Sequence, residues 1–169
     1  VTEIKKLIKA KTIARGLGRS YGDSSIQPNS TIITSKLNKI LHFDFKKGIL
    51  EAEAGISIEA ILKVIVNKGW FLSVTPGSKQ ITLGGMIATN VHGKNHHKVG
   101  NFKNQIISFK LVNEKKKLIT CSKSLNKKIF NYTTGGMGLT GIIYSCKFRL
   151  KKINSDIILQ QKIKNKNLN

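Results

Sequence analysis

The stretch Pro76-Gly-Ser-Lys-Gln-Ile-Thr-Leu-Gly-Gly-Met-Ile-Ala-Thr-Asn-Val-His-Gly-Lys-Asn-His-His97 carries the most structural information in the chain. It opens on a Pro-Gly turn. Thr82 then stands where a helix N-cap should, and Leu83–Thr89 reads as a short helix of small side chains. Gly84 and Gly85 leave the helix start uncovered, so its N-terminus is expected to attract an anion. Three of the four histidines, His92, His96 and His97, follow at once. A zinc site through His92 and His96 would use the i, i+4 spacing of one helix face. Gly93 and Asn95 argue against a helix there, and the glutamate of a zinc-protease motif is missing, so no metal is expected. For His92 the expectation is a redox or substrate-polarising role; for His96 and His97, structural hydrogen bonds.

Working outward, a second glycine segment precedes this one: Ala14-Arg-Gly-Leu-Gly-Arg-Ser-Tyr-Gly-Asp23. Gly16, Gly18 and Gly22 permit positive φ and close approach of backbone to a ligand. Successive N–H groups can then converge on an anion. The spacing is not that of a dinucleotide-binding G-x-G-x-x-G turn, and no G-K-[ST] closes it as a phosphate loop. Arg15 and Arg19 flank the loop in a chain that has three arginines among its 30 basic residues. Retaining arginine here points to use of the planar guanidinium fork, either on a phosphate or carboxylate or as a brace on backbone carbonyls. A third segment, Thr133-Thr-Gly-Gly-Met-Gly-Leu-Thr-Gly141, leads into a long apolar strand. Three such loops in one small domain suit an extended pyrophosphate ligand.

The remaining elements follow from periodicity. Lys11–Ala14, Thr31–Thr34 and Ile49–Ala54 read as strands, the last alternating apolar and acidic residues. Ser57 caps a predicted helix over Ile58–Lys68, whose apolar face is Ile58, Ile61, Leu62, Ile65 and Val66 and whose stop is Gly69. A hairpin is expected from Ile106–Asn113 and Lys117–Cys121 around Glu114–Lys116. Ser124–Tyr132 is polar with helical character, Ile142–Leu150 is a long strand, and Gln160–Asn169 reads as frayed or truncated. Short strands with few helices give an α+β class.

Composition sets the outer limits. A length of 169 residues with 40% hydrophobic residues suits one globular domain. No apolar run approaches the roughly 20 residues of a membrane-spanning helix. The net charge of +22 is almost all lysine, spread along the chain and accompanied by isoleucine and asparagine, as AT-rich codons would produce. Such a field draws polyanions whatever its origin. A nucleic-acid-binding module would interleave aromatics with the basic residues on one face, whereas Phe and Tyr here sit in apolar strand patterns. No nucleic acid is therefore expected as a partner. Cys121 and Cys146 have no metal-type spacing and read as buried small hydrophobes in a reducing compartment.

Taken together, Arg-Gly-Leu-Gly-Arg-Ser-Tyr-Gly-Asp, Pro-Gly-Ser-Lys-Gln-Ile-Thr-Leu-Gly-Gly, His-Gly-Lys-Asn-His-His and Gly-Gly-Met-Gly-Leu-Thr-Gly-Ile-Ile resemble the vanillyl-alcohol oxidase/p-cresol methylhydroxylase superfamily of flavoproteins. Within it they are most similar to the branch that oxidises C2 of a polyprenylphosphoryl ribose. The resemblance spans about residues 11–152. It implies a two-subdomain FAD module over 1–152, with 153–169 the start of a substrate domain or a tail. It also implies cofactor contacts from Ala14, Arg15, Gly16, Leu17, Gly18, Arg19, Ser20, Tyr21, Gly22, Asp23 and Ser24 in the first loop. Further contacts would come from Gly77, from Thr82, Leu83, Gly84 and Gly85, from Thr89, Asn90, Val91 and His92, and from Ile143.

Several members hold flavin covalently through a histidine of the first loop; here Arg19 takes that position, so FAD is expected to be non-covalent. His92 is placed near the flavin, and the substrate-binding half and its lysine base are expected beyond this chain. The substrate implied is a lipid-linked or small sugar in bacterial cell-wall synthesis, with a partner ketoreductase. The implied setting is the cytoplasm, with peripheral membrane contact. An aldonolactone or alditol oxidase of the same superfamily is the alternative within the class.

Overall fold

The computed structural model describes residues 1–164. In chain order the elements are α1 (Thr2–Leu7), β1 (Ile13–Arg15), β2 (Thr31–Ile33), β3 (Ile40–Asp44), β4 (Ile49–Glu53), α2 (Ile58–Ile65), β5 (Trp70–Phe71), α3 (Leu83–Ala88), α4 (His96–Val99), β6 (Ile106–Val112), β7 (Leu118–Ser122), α5 (Lys127–Thr133), β8 (Ile142–Arg149) and β9 (Lys151–Lys152). The mixture of helices with a mainly antiparallel sheet is α+β. Strands β3-β4-β8-β6-β7 form one antiparallel sheet in that order, while β1 and β2 pair in parallel and β5 pairs with β9.

Local signals explain the helices. The Ser57 hydroxyl accepts from the Ala60 N–H at 3.1 Å, which starts α2, and Gly69 at φ +77° ends the 3₁₀ turn that continues it. Ile58, Ile61 and Ile65 are buried on one face of α2, as the apolar spacing requires. The hairpin β6–β7 turns at Glu114–Lys116 where expected. Two short helices, α1 and α4, and the edge strand β3 were not anticipated. In α4, Asn95 sits at the N-cap and Gly93 lies outside, so the two residues that argued against a helix only delay its start. Ile153–Lys164 carries no helix or strand; the expectation of fraying at Gln160–Asn169 falls partly on 165–169, outside the described residues.

The main core fills one face of the sheet. Phe109 on β6 lies opposite Cys121 of β7 and Cys146 of β8, so the two small thiols flank a large ring. Phe109 stacks on Phe130 of α5 at 5.4 Å, and Phe102 meets Phe148 edge-on at 5.5 Å. Both cysteines are buried and unpaired, as the sequence suggested. Burial pushes the Cys121 thiol up to about 11, and Cys146 is pushed up further by burial and by Glu51. Thiolate is the reactive form, so Ellman's reagent at pH 8 is expected to find no thiol in the native protein and both after denaturation. Reaction of either in the native state would contradict this packing. Unfolded thiols release their protons from about pH 8.5. The folded Cys121 holds its own to about 11. The contribution of these thiols is therefore full at neutral pH and is lost as pH rises through that window.

Candidate functional site

A groove of about 760 Å³ runs across the face where the first two glycine segments meet. Its first wall is the loop after β1: Gly16, Leu17, Gly18, Arg19, Ser20, Tyr21 and Ser24 all line it. Pro76, Gly77 and Ser78 form the opposite edge, and Thr82, Gly85 and Thr89 of α3 the floor. Val91 and His92 also line the groove. A narrow cleft of about 80 Å³ shares Gly16, Ser20, Thr82 and Gly85 with the groove and continues it inward. Ala14, Ala54, Gly84, Gly141 and Ile143 line that cleft, so it is walled by small side chains and backbone.

The five sequence-predicted residues that stand off the walls do so for visible reasons. Arg15 turns its guanidinium back over Gly18 to donate to the Ser25 hydroxyl at 3.0 Å. Gly22 and Asp23 lie at the exposed tip of the loop. Leu83 is in the hydrophobic core. Asn90 accepts from the Lys103 N–H at 3.2 Å. Arg19 reaches across the groove and donates to Gln80 at 2.7 Å, so neither loop arginine braces a backbone carbonyl. Met137 and Gly138, from the third glycine segment, also line the site, as do Ser25, Thr34 and Ala88, which the sequence reading did not place there. Ser25 and Ala88 adjoin residues that were placed there; Thr34 carries no such signal.

Hydrogen bonding decides which loop can take an anion. The helix start was expected to supply free donors, and it does not. The Leu83 N–H donates to the Ile56 carbonyl at 2.9 Å, Gly84 to Ala54 at 2.6 Å, and Gly85 to the Thr82 hydroxyl at 3.1 Å. In the third glycine segment Gly135 and Met137 donate to the Ile87 and Ala88 carbonyls at 3.0 and 2.9 Å. These bonds dock it onto the end of α3. By contrast, among the described residues no backbone N–H from Gly16 through Ser20 reaches a protein acceptor. Buried or half-buried N–H groups seek partners. A run of free donors around Gly18 at φ +64°, lining a groove, is the arrangement from which anion-binding concavities are built.

Gly16 has no room for a side chain. A Cβ there would run into the Thr82 hydroxyl and methyl. Thr82 is itself buried and capping α3, so loop and helix are locked together by backbone contact. His92 is exposed in the groove lining and meets His96 edge-to-face at 5.3 Å, with His97 a further 5.8 Å from His96. Among the described residues no three metal-ligating side chains converge.

A glycine-walled groove with an unpaired donor loop at one side and an imidazole in its lining defines a site for a long, phosphate-bearing cofactor. Residues 3–122 match the family model described as FAD binding domain, so the chain belongs to that family and FAD is its cofactor. It is 39% identical over 78% of its length to decaprenylphosphoryl-beta-D-ribose oxidase of Mycolicibacterium smegmatis, covering 29% of that protein. It is 30% identical over 76% to L-gulonolactone oxidase of Scyliorhinus torazame, again covering 29%. The human Delta(24)-sterol reductase matches at 26% over 70% of the chain and 23% of its own length. The chain thus spans less than a third of these relatives. The groove fits FAD on its own terms, since the free donors suit a pyrophosphate and the small-residue cleft suits a thin, flat group.

Proposed function

We propose that this chain is the cofactor-holding part of an FAD-dependent oxidoreductase acting on the C2 hydroxyl of a lipid-linked ribose. The observation that carries the reading is the unpaired donor loop Gly16–Ser20 beside a groove that His92 also lines. FAD, when bound, supplies the hydride acceptor. The chain's residues hold and orient it. The Gly16–Ser20 N–H groups, with the Arg19 guanidinium, would neutralise the pyrophosphate. Ala14, Gly84, Gly85 and Ile143 would shape the cleft, while Gly77, Thr89 and Val91 would border the wider groove. His92, exposed in the groove lining, would hydrogen-bond the polar edge of the ring system or the substrate hydroxyl, with either ring nitrogen free to give or accept a proton. We read α1, β1 and β2 as one subdomain and the five-stranded sheet as the second, joined by a small apolar cluster in which Ile4, Ile8 and Ile32 pack with Val112 and Ile142 of the sheet.

The substrate class rests on the 39% identity with the ribose oxidase, against 30% with the lactone oxidase. A lipid-linked substrate entails peripheral contact with a membrane, and among the described residues no helix is long and apolar enough to cross one. Cytoplasmic placement and supply of the product to a ketoreductase belong to the same proposal. The attachment is proposed to be non-covalent, because the first loop offers no His or Cys and both thiols are buried in the sheet. Acid precipitation of flavin-loaded protein is expected to leave the pellet colourless and intact FAD in the supernatant; a yellow pellet contradicts that. The substrate is tested by anaerobic mixing of the flavin-loaded full-length protein with polyprenylphosphoryl ribose and, separately, with an aldonolactone. Loss of flavin absorbance with the first alone is expected, and loss with the lactone alone overturns the assignment.

A further inference from the structure

A second cavity, about 400 Å³, shares Gly141 with the narrow cleft and no lining residue with the wider groove. Its sides are the α1–β1 connection and the β6–β7 turn. Lys9, Lys11 and Lys116 line it, with Glu114 the one carboxylate. None of these four charges is in an ion pair among the described residues, where the paired lysines are Lys63, Lys79 and Lys110. Three exposed lysines thus border the cavity against a single carboxylate.

The backbone repeats the logic of the flavin loop. Ala10 and Lys11 are the central residues of a hydrogen-bonded turn from Lys9 to Thr12, and among the described residues neither of their N–H groups reaches a protein acceptor. Lys11 is held at φ +57°, the left-handed region, where a non-glycine residue is uncommon. Lys116 on the facing wall also stands at φ +57°. A turn in which successive N–H groups are free and one residue is left-handed forms an anion nest. Here the nest comes with ammonium groups from two separate chain segments. Gly16–Ser20 uses glycine for this purpose; the Lys9–Thr12 turn accepts strain and places a cation at the strained position.

We propose that this cavity is a second anion site, separate from the flavin groove, that takes a phosphate group through the Ala10 and Lys11 N–H groups and the Lys9, Lys11 and Lys116 ammoniums. The phosphate can belong to a soluble phosphorylated metabolite or to the headgroup of an anionic lipid. Both present the same singly or doubly charged oxygens, and Ile8 and Ile142 give the cavity an apolar back.

The experiment uses flavin-saturated protein, so that the groove is filled. Amide shifts are followed by two-dimensional NMR during titration with inorganic pyrophosphate at fixed ionic strength. Residues 10–12 and 113–116 are expected to shift together and to saturate. Lys9→Gln/Lys11→Gln/Lys116→Gln is expected to weaken that binding about tenfold or more, with FAD affinity unchanged. Lys11→Gly, which relieves the backbone strain, is expected to stay folded and still bind more weakly, so misfolding cannot mimic the result. Co-sedimentation with phosphatidylglycerol vesicles, against phosphatidylcholine vesicles, identifies the source. Pelleting with the anionic vesicles alone, lost in the triple variant, assigns the site to a lipid headgroup; saturable pyrophosphate binding without pelleting assigns it to a soluble ligand. Shifts spread evenly over surface lysines, or binding unchanged in the triple variant, overturn the proposal.

Discussion

Gly16→Val is expected to cost the protein at least 100-fold in FAD affinity, about 2.7 kcal/mol, while the fold survives. Position 16 is where the donor loop touches α3. An ideal Cβ there overlaps the Thr82 side chain, which is buried and capping, so it cannot simply swing aside. Either the loop lifts and its free N–H groups lose their common aim, or Thr82 yields its bond to Gly85. Loss of a cap costs about 1 kcal/mol, within the roughly 5–15 kcal/mol that holds a domain folded. Flavin titration with far-ultraviolet circular dichroism reads both consequences. Retained affinity would show that the close approach of Gly16 to Thr82 has no part in cofactor binding.

The largest expected loss of stability comes from Gly55→Ala. Its Cβ would overlap the Thr34 carbonyl, and the Leu37 carbonyl lies 2.8 Å away. Both obstacles are backbone, so no rotamer relieves them. Thr34 is also tied to β1, since its N–H and its hydroxyl both donate to the Arg15 carbonyl at 2.9 and 3.1 Å. Strain at residue 55 thus reaches the root of the donor loop. We expect about 3 kcal/mol of destabilisation. For a chain of this size that lowers Tm by roughly 6–12 °C. Thermal unfolding of the two proteins is the check. A shift of about 1 °C or less would mean that the β4–α2 turn tolerates a side chain, against the packing described.

Legibility in the sequence followed the range of each interaction. Ser57, Gly69, Thr82 and the Glu114–Lys116 turn act within a few residues, and all were readable. Pairing of β4 with β8 joins residues such as Ala52 and Cys146, far apart in the chain, and no local pattern announces it. Edge strand β3 is hidden in the sequence because a bulge between Ile40 and His42 breaks the alternation: Ile40 and Phe43, three residues apart, both pack on the core while Leu41 is exposed. At the site, glycine content marked all three loops alike. Hydrogen bonding separated them: Gly135 and Met137 are spent on docking, and Leu83, Gly84 and Gly85 on strand-end carbonyls and a cap. Those partners, Ala54 and Ile56, arrive from another part of the chain. The helix terminus that the sequence offered to an anion is thus already occupied by protein acceptors. Arg15 and Arg19 donate to Ser25 and Gln80, partners that spacing does not reveal.

The Gly16–Ser20 loop is proposed to hold the pyrophosphate of FAD. The most direct test compares FAD with riboflavin, which carries the same ring system without the pyrophosphate or the adenosine, by fluorescence quenching at physiological ionic strength, with adenosine as a separate competitor. FAD is expected to bind about 100-fold or more tightly than riboflavin, and adenosine not to displace it. Gly16→Val is expected to remove most of the difference between the two flavins. Equal affinities for the two flavins, or no binding of either, would contradict that assignment.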